Sequence, residues 1–243
     1  MHYHDIRPAV FQARPNRFVA QVTLPDGTPV RAHVKNTGRC AELLVPGANV
    51  YLEYAANPRR ATPCDLVAVE KPTPRGTLLV NMDSAAPNAA AGEWLAAGGL
   101  GPLQDLRAEQ TFGDSRFDFA ARQGDRPVLV EVKGCTLETG GVACFPDAPT
   151  LRGLKHVREL AGYAARGWRC CVLVVIQMAG VHCFRPNWAT QPAFGQALRQ
   201  AAEAGVELRA LDCTVTPGSI ALRRDVPVDL TPPAVDLTPP AGT

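Results

Sequence analysis

A small β-barrel followed by an α/β domain is the fold the sequence predicts, and three observations carry that expectation. Residues 1–82 hold five short strand candidates separated by Gly and Pro. From residue 83 the pattern changes to a helix, three strands, a helix and a strand. The third of those strands contains VLVEVKG (128–134), an apolar run that carries Glu131 and Lys133. Side chains alternate across a strand, so these two charges share a face while Val128, Val130 and Val132 share the other.

In the first domain, RFVAQVTL (17–24) and PVRAHVKN (29–36) flank the turn sequence P-D-G-T. ANVYLEYA (48–55), CDLVAVEK (64–71) and TLLVNM (77–82) complete a set that suits a barrel of the OB type. In the second domain (83–228), PNAAAGEWLAAGG reads as a helix with Asn88 as N-cap and glycines at its end. LRAEQTF (106–112), SRFDFAAR (115–122) and PVLVEVKG (127–134) follow as strands. TLRGLKHVRELAGYAARG is amphipathic, with Leu154, Val157, Leu160 and Ala161 on one stripe. WRCCVLVVIQ (168–177) has the continuous apolar character of a strand buried on both faces. A further helix (193–205) and strands through VELRALDCTV and near Ile220 close the domain. Residues 229–243 repeat DLTPPA twice; Pro-Pro favours extended polyproline II, and this segment is expected to be a disordered tail.

Composition narrows the function classes. With 243 residues and 46% apolar side chains the chain can bury a substantial core. Its start lacks a cationic and then apolar leader, and no apolar run approaches a membrane span, so a cytoplasmic protein without a membrane partner is expected. Eight Cys occur without a C-x-x-C pair or a completing His, which suits reduced core thiols rather than zinc. Net charge is only +2, but residues 1–60 hold eight Lys or Arg against four acids. That excess suits either a solvated face or a phosphate-binding surface.

The chemistry is expected around VLVEVKG. Alone, an E-x-K triplet is an ordinary ion pair on a half-solvated strand. An antiparallel meander, however, brings SRFDF beside it. If Phe117 and Phe119 share one face, Arg116 and Asp118 share the other, and Asp118 meets Glu131. Two adjacent carboxylates repel, and a hard divalent cation, Mg²⁺ or Mn²⁺, removes the conflict. Asp118 and Glu131 are therefore the candidate metal ligands and catalytic acids, Glu93 on the preceding helix is a third, and Lys133 is placed to orient or deprotonate water and balance phosphate charge.

This order of elements, with Asp on the second strand and E-x-K on the third, resembles the PD-(D/E)XK nuclease core. A narrower resemblance runs over residues 8–228, through RFVAQV, AHVKNTG, LVPGANVYL, NPRR, DSAAPN, SRFDF, VEVKGCTL and FPDAPT followed by R-G-x-K-H. These segments together are similar to the sugar fermentation stimulation protein family, SfsA. The resemblance implies an OB-like first domain, a PD-(D/E)XK-like second domain, nucleic-acid binding and a link to sugar-utilisation genes. Asp118, Glu131 and Lys133 fall on the matching nuclease motif, and Glu93 on its helix acid. Departures from the family pattern are Ala89, Ala90 and Ala91 after Asn88, Thr111 at a basic position and Leu151 at an acidic one.

Arg17, Lys35, Arg39, Arg59 and Arg60 in the first domain are the candidate nucleic-acid contacts, joined by Arg152, Lys155 and His156 near the start of the second helix, where helix amides and cations can hold phosphate. Solvated helix residues are the competing reading of the latter three. Asp147 either caps that helix or touches a metal-bound water. Three readings compete: a metal-dependent nuclease acting on DNA or RNA, a non-catalytic DNA-binding regulator of sugar-utilisation (maltose) genes, and a structural module whose E-x-K is a plain ion pair. An intact Asp118, Glu131 and Lys133 favours the first.

Overall fold

In the computed structural model, which describes residues 1–233 apart from Thr37, Pro58 and Arg59, the first domain is a closed barrel. Its strands are β1 (Ile6–Asn16), β2 (Val19–Thr23), β3 (Pro29–Val34), β4 (Asn49–Tyr54) and β5 (Cys64–Thr73). β1 pairs with β2 and β4, β2 with β3, and β4 with β5, all antiparallel. Closure comes from a parallel pairing of β3 with β5, in which Ala32 faces Cys64 and Val34 faces Leu66. Phe11, Ala20, Val22, Ala32, Val34, Val50, Leu52 and Leu66 fill the interior, as the alternation of each strand requires. The P-D-G-T turn forms as expected, with the Asp26 carboxylate accepting from Thr28 N at 2.9 Å. β1 was not foreseen, because Pro8 and Pro15 argue against a strand. Pro8 is tolerated since β1 pairs with β4 there, whereas its register with β2 begins only at Val10.

β6 (Gly76–Asn81) extends the barrel sheet from β5 and delivers the chain to the second domain. There α1 (Ala86–Ala96) precedes β7 (Gln104–Phe112), β8 (Ser115–Gln123) and β9 (Arg126–Cys135). After β10 (Leu137–Thr139) and β11 (Val142–Phe145) come α2 (Leu151–Ala164), β12 (Arg169–Ile176), β13 (Cys183–Pro186), α3 (Pro192–Glu203), β14 (Glu207–Thr216) and β15 (Ser219–Asp225). The main sheet has the order β15-β14-β12-β9-β8-β7, with β9, β12 and β14 parallel. Parallel neighbours need a crossover, and α2 provides it between β9 and β12. β12 is buried along its length from Cys170, as its unbroken apolar run implied. The small sheet β10-β11-β13 was not anticipated; its strands are three or four residues long and give little periodicity to read.

Two cores sandwich this sheet. One joins Val128, Val130, Val132 and Leu173 to Ala91 and Leu95 of α1. The other joins Leu129 and Val172 to Val157 and Leu160 of α2 and Phe194 and Leu198 of α3, and runs on into the barrel interior. α1 begins two residues before the expected cap: Pro87 occupies its first turn, and Asp83 Oδ1 accepts from Ala85 N at 2.9 Å. Asn88 therefore lies inside the helix. The tail starts with Asp229 held by Arg185 at 2.8 Å, and its second DLTPPA copy lies outside the described residues.

Asp212 of β14 is buried and accepts from Gly180 N at 3.2 Å, Arg223 Nε at 3.1 Å and Arg224 Nε at 3.3 Å. Burial, the largest single influence, raises its pKa, but Arg223, the Gly180 amide and Arg224 together outweigh it and hold the carboxyl below its ordinary value of 3.8. A depressed folded-state pKa contributes stability above the unfolded value and loses it as pH falls through the folded one. The Asp212→Asn protein should thus show a flatter decline in stability below about pH 4 than the parent in denaturant titrations at stepped pH. Equal slopes would remove Asp212 from the acid response.

Candidate functional site

β9 lies between β8 and β12, and its alternation sends Glu131 toward α2, away from the three valines. Glu131 is 3% exposed. Its Oε1 lies 2.5 Å from His156 Nδ1 and also accepts from Lys133 Nζ. A carboxylate only accepts, so His156 carries the proton on Nδ1. The other oxygen, Oε2, is buried without a hydrogen-bond partner. His156 is itself buried, against the Phe117 ring at 5.6 Å. It is a neighbour of the acid rather than a solvent-facing phosphate ligand, which corrects the expectation for it.

Asp118 departs from simple alternation. β8 pairs with β9 from Gln123 back to Phe119, where Phe119 faces Val130, and that pairing stops there. Beyond this point β8 separates from β9. Asp118 Oδ2 accepts from Val132 N at 2.7 Å, and Oδ1 accepts from Asn88 Nδ2 of α1 at 2.7 Å. Phe117 turns to α2 while Phe119 stays in the α1 core, so the two phenyls occupy different faces, contrary to the expectation from alternation. Asp118 thus touches the backbone beside Glu131, but its carboxylate and that of Glu131 share no partner and lean toward opposite helices. Gly134 is required just after Lys133, since a Cβ there would lie 2.7 Å from Pro87 Cγ and Gln177 Oε1.

Glu93 does not join this pair. It lies on the exposed side of α1, where Oε2 meets the Met1 ammonium at 2.5 Å, and Met1 O accepts from Ile220 N of β15. Helical spacing sets its direction: five residues from Asn88 is well past one turn, so the two side chains leave α1 on different sides.

The basic residues divide into three groups. Arg17 lines a cavity of about 420 Å³ with Asn36, Gly38, Gly134, Thr136 and Asp147, on the side of β9 reached from the barrel. Arg14 holds this rim in place: its guanidinium donates to the carbonyls of Arg17, Asn36, Gly38 and Arg39 at 2.7–3.0 Å. Arg39 is exposed there, and its amide donates to Asp147 Oδ2 at 2.8 Å. Asp147 is therefore a clamp between the domains; α2 is capped instead by Thr150, whose Oγ1 accepts from Gly153 N at 3.0 Å. Gly38 permits this clamp, since a Cβ would approach Asp147 Oδ2 to 3.0 Å. In the second group, Lys35 lies 2.8 Å from Asp83 and 3.5 Å from Asp65, and Arg60 pairs with Asp65 at 2.5 Å, so acids already neutralise these two. Arg59 lies outside the described residues. In the third, Arg152 and Lys155 are exposed on the first turns of α2.

Among the described residues, no three His, Cys, Asp or Glu side chains converge as a cation site. The fit to a hard cation rests on Glu131 Oε2, a buried oxygen with no partner. One or two carboxylates with water and phosphate oxygens suffice for Mg²⁺. Of the expected ligands, Glu131 offers a free oxygen in Oε2, whereas Asp118 would have to release Asn88 or Val132 N to join it and Glu93 lies elsewhere.

Comparison with known proteins assigns both domains. Residues 13–81 match the family model described as the SfsA N-terminal OB domain, and residues 85–219 match the sugar fermentation stimulation protein RE domain. A sugar fermentation stimulation protein homolog from Desulfitobacterium hafniense is 51% identical over 90% of this chain and 94% of its own. Another from Ruminiclostridium cellulolyticum is 43% identical over 95% and 100%. The solved structure of Pyrococcus furiosus SfsA in complex with Ca²⁺ superposes with a TM-score of 0.82 at 29% identity, covering 94% of this chain and 98% of that one. On its two domain matches and these relatives, the chain belongs to the sugar fermentation stimulation protein family, SfsA.

Proposed function

We propose that this protein binds nucleic acid and hydrolyses its phosphodiester bonds with Mg²⁺ or Mn²⁺. The observation that carries the reading is Glu131: a buried carboxylate with one oxygen held by Lys133 and His156 and the other unpartnered. Leaving such an oxygen unmet costs about 1–3 kcal/mol or more, which favours a ligand at that point. The complex of the related Pyrococcus furiosus protein with Ca²⁺ supports a hard cation in this family. When bound, the cation supplies a Lewis acid that polarises a phosphoryl oxygen and lowers the pKa of its water. Asp118 and Glu131 hold it, Asn88 orients Asp118, and His156 fixes the Glu131 carboxylate. Lys133 positions the attacking water and offsets charge on the phosphoryl group. Arg17 and Arg39 guide the strand past Gly134 and Thr136.

A second reading, a binding regulator without turnover, is favoured by one observation: both Asp118 oxygens already have protein partners. Incubating the full chain with single- and double-stranded DNA and RNA in Mg²⁺, Mn²⁺ or EDTA separates the two. Cleavage in either metal and none in EDTA supports hydrolysis. Binding without cleavage in any condition supports the regulator.

The rim should also carry the salt dependence. Each phosphate contact displaces condensed counterions, so Arg17→Ala and Arg39→Ala should each lower the slope of log affinity against log salt by about 1. Arg60→Ala, already neutralised by Asp65, should leave the slope unchanged. Equal changes in all three would place the binding surface elsewhere.

A further inference from the structure

The cavity of about 420 Å³ between the barrel and β9 has a lining without net charge, because Arg17, which is exposed, and Asp147, which is half-buried, are its two charged residues. Phe145 and Pro146 supply an apolar wall, and the Phe145 ring is braced edge-on by Phe194 with centroids 5.2 Å apart. Two polar side chains of the lining have one atom committed and one to spare. Asn36 Oδ1 accepts from Gly38 N at 2.8 Å, which leaves Nδ2 a donor without a partner among the described residues. Asp147 Oδ2 accepts from Arg39 N at 2.8 Å and Cys40 N at 3.3 Å, which leaves Oδ1 an acceptor without one. Neither free atom is sealed inside the protein. The committed atoms fix both residues, so a donor and an acceptor are held in place beside an apolar slot. The lining reaches Gly134, one residue beyond Lys133.

We propose that this cavity takes one unpaired nucleobase, so that the preferred ligand is a single or locally opened strand rather than a closed duplex; the proposal rests on the nucleic-acid reading above. The charge balance of the lining decides against a phosphate inside. The Asp147 carboxylate would repel it, whereas Arg17 at the edge can take a phosphate from outside. A base is uncharged and flat, so its face suits the wall of Phe145 and Pro146. Its edge carries both N–H donors and ring or carbonyl acceptors, the partners that Asp147 Oδ1 and Asn36 Nδ2 lack. Every base offers at least one of each, so the slot selects unpaired bases without selecting a sequence. A paired base has that edge occupied and must leave the stack to enter. With a base in the cavity, Arg17 and Arg39 flank the backbone and the nucleotide lies one residue from Lys133 along β9.

The test measures binding to the full chain in EDTA, with three labelled ligands of about twelve nucleotides: a mixed-sequence single strand, the same backbone carrying tetrahydrofuran in place of every nucleoside, and the blunt duplex. The single strand should bind about tenfold tighter than the abasic backbone, which has the same phosphates, and tighter than the duplex. Asp147→Asn keeps an oxygen for the Arg39 and Cys40 amides and turns the free acceptor into a donor. Asn36→Asp keeps the oxygen for Gly38 N and turns the free donor into an acceptor. Each should bring the ratio of base-bearing to abasic affinity within about twofold of unity. Asp147→Asn also removes a negative charge, so its affinity for the abasic backbone should be unchanged or higher, which separates lost recognition from lost folding. Equal binding of the base-bearing and abasic strands, a duplex bound as tightly as the single strand, or a ratio that survives both variants overturns the proposal. Cleavage in Mg²⁺ by a protein without base preference leaves hydrolysis standing and removes the slot. A base preference in a protein that cleaves nothing upholds the slot while the hydrolytic reading fails, and a protein that binds none of the three ligands loses both.

Discussion

Asp118→Asn and Glu131→Gln should each reduce Mg²⁺- or Mn²⁺-dependent cleavage by about a thousandfold, with nucleic-acid affinity in EDTA within about threefold of the parent. The asymmetry follows from where these groups act. Glu131 is buried beneath α2 and Asp118 is inserted between β8 and β9, so neither offers much surface to a bound strand. Their contribution arises at the reacting phosphoryl group, and interactions made only there change turnover rather than binding. Both substitutions keep shape and remove charge. In Asp118→Asn the amide oxygen can still accept from Val132 N, and in Glu131→Gln the new side chain still fills the space between Lys133 and His156. Lys133→Ala should slow turnover and leave cation binding in place, because Glu131 Oε2 and Asp118 remain. An Asp118→Asn protein that cleaves at the parental rate would sink the assignment.

The residues of this site were only partly legible in the sequence, and the reasons are local. VLVEVKG was readable because strand alternation is a covalent consequence of the backbone, and Glu131, Lys133 and Leu129 do share a face. Asp118 was misplaced by the same rule, since alternation holds only while a strand remains paired and β8 leaves β9 at Phe119. His156 carried a signal that was not used: it lies four residues before Leu160, on the inward stripe of α2, where a polar residue must find a buried partner. Nothing in the sequence marked Asn88 as the partner of Asp118, or Glu93 as that of Met1, because both contacts depend on how α1 is rotated over the sheet. The barrel strands were legible from their turns, except β1, whose prolines masked a strand that changes partners midway. The basic excess of the first domain is visible in its composition, but its partition among partners is not. Arg17 and Arg39 reach the cleft, whereas Lys35 and Arg60 neutralise Asp65 and Asp83, acids further along the chain.

Asp83 provides the largest expected effect on stability. It follows β6 where the chain leaves the barrel, is 0% exposed, and its carboxylate serves three donors: Lys35 Nζ at 2.8 Å, Ala85 N at 2.9 Å and Tyr3 OH at 3.4 Å. Its carbonyl accepts from Gln177 Nε2, which also bonds Asn81, so one buried network ties β6, the start of α1 and the end of β12 together. Asp83→Ala leaves the Ala85 amide unmet and Lys35 half-buried with only Asp65, 3.5 Å away. Breaking such a pair from one side costs about 3 kcal/mol, the lower end of the range because Lys35 is partly solvated. For a chain of this size that corresponds to a melting temperature lower by about 6–12 °C. Asp83→Asn, which retains the acceptor for Ala85 N, should lose less. Adding Lys35→Met to Asp83→Ala should recover part of the loss, because the uncompensated charge is removed with its partner. A single Asp83→Ala protein melting within about 2 °C of the parent would show that the junction does not depend on this carboxylate. The Lys35→Met protein carries the functional half of the argument. If Asp83 and Asp65 withhold that ammonium from phosphate, its nucleic-acid affinity and salt slope should match the parent, whereas Arg17→Ala lowers both.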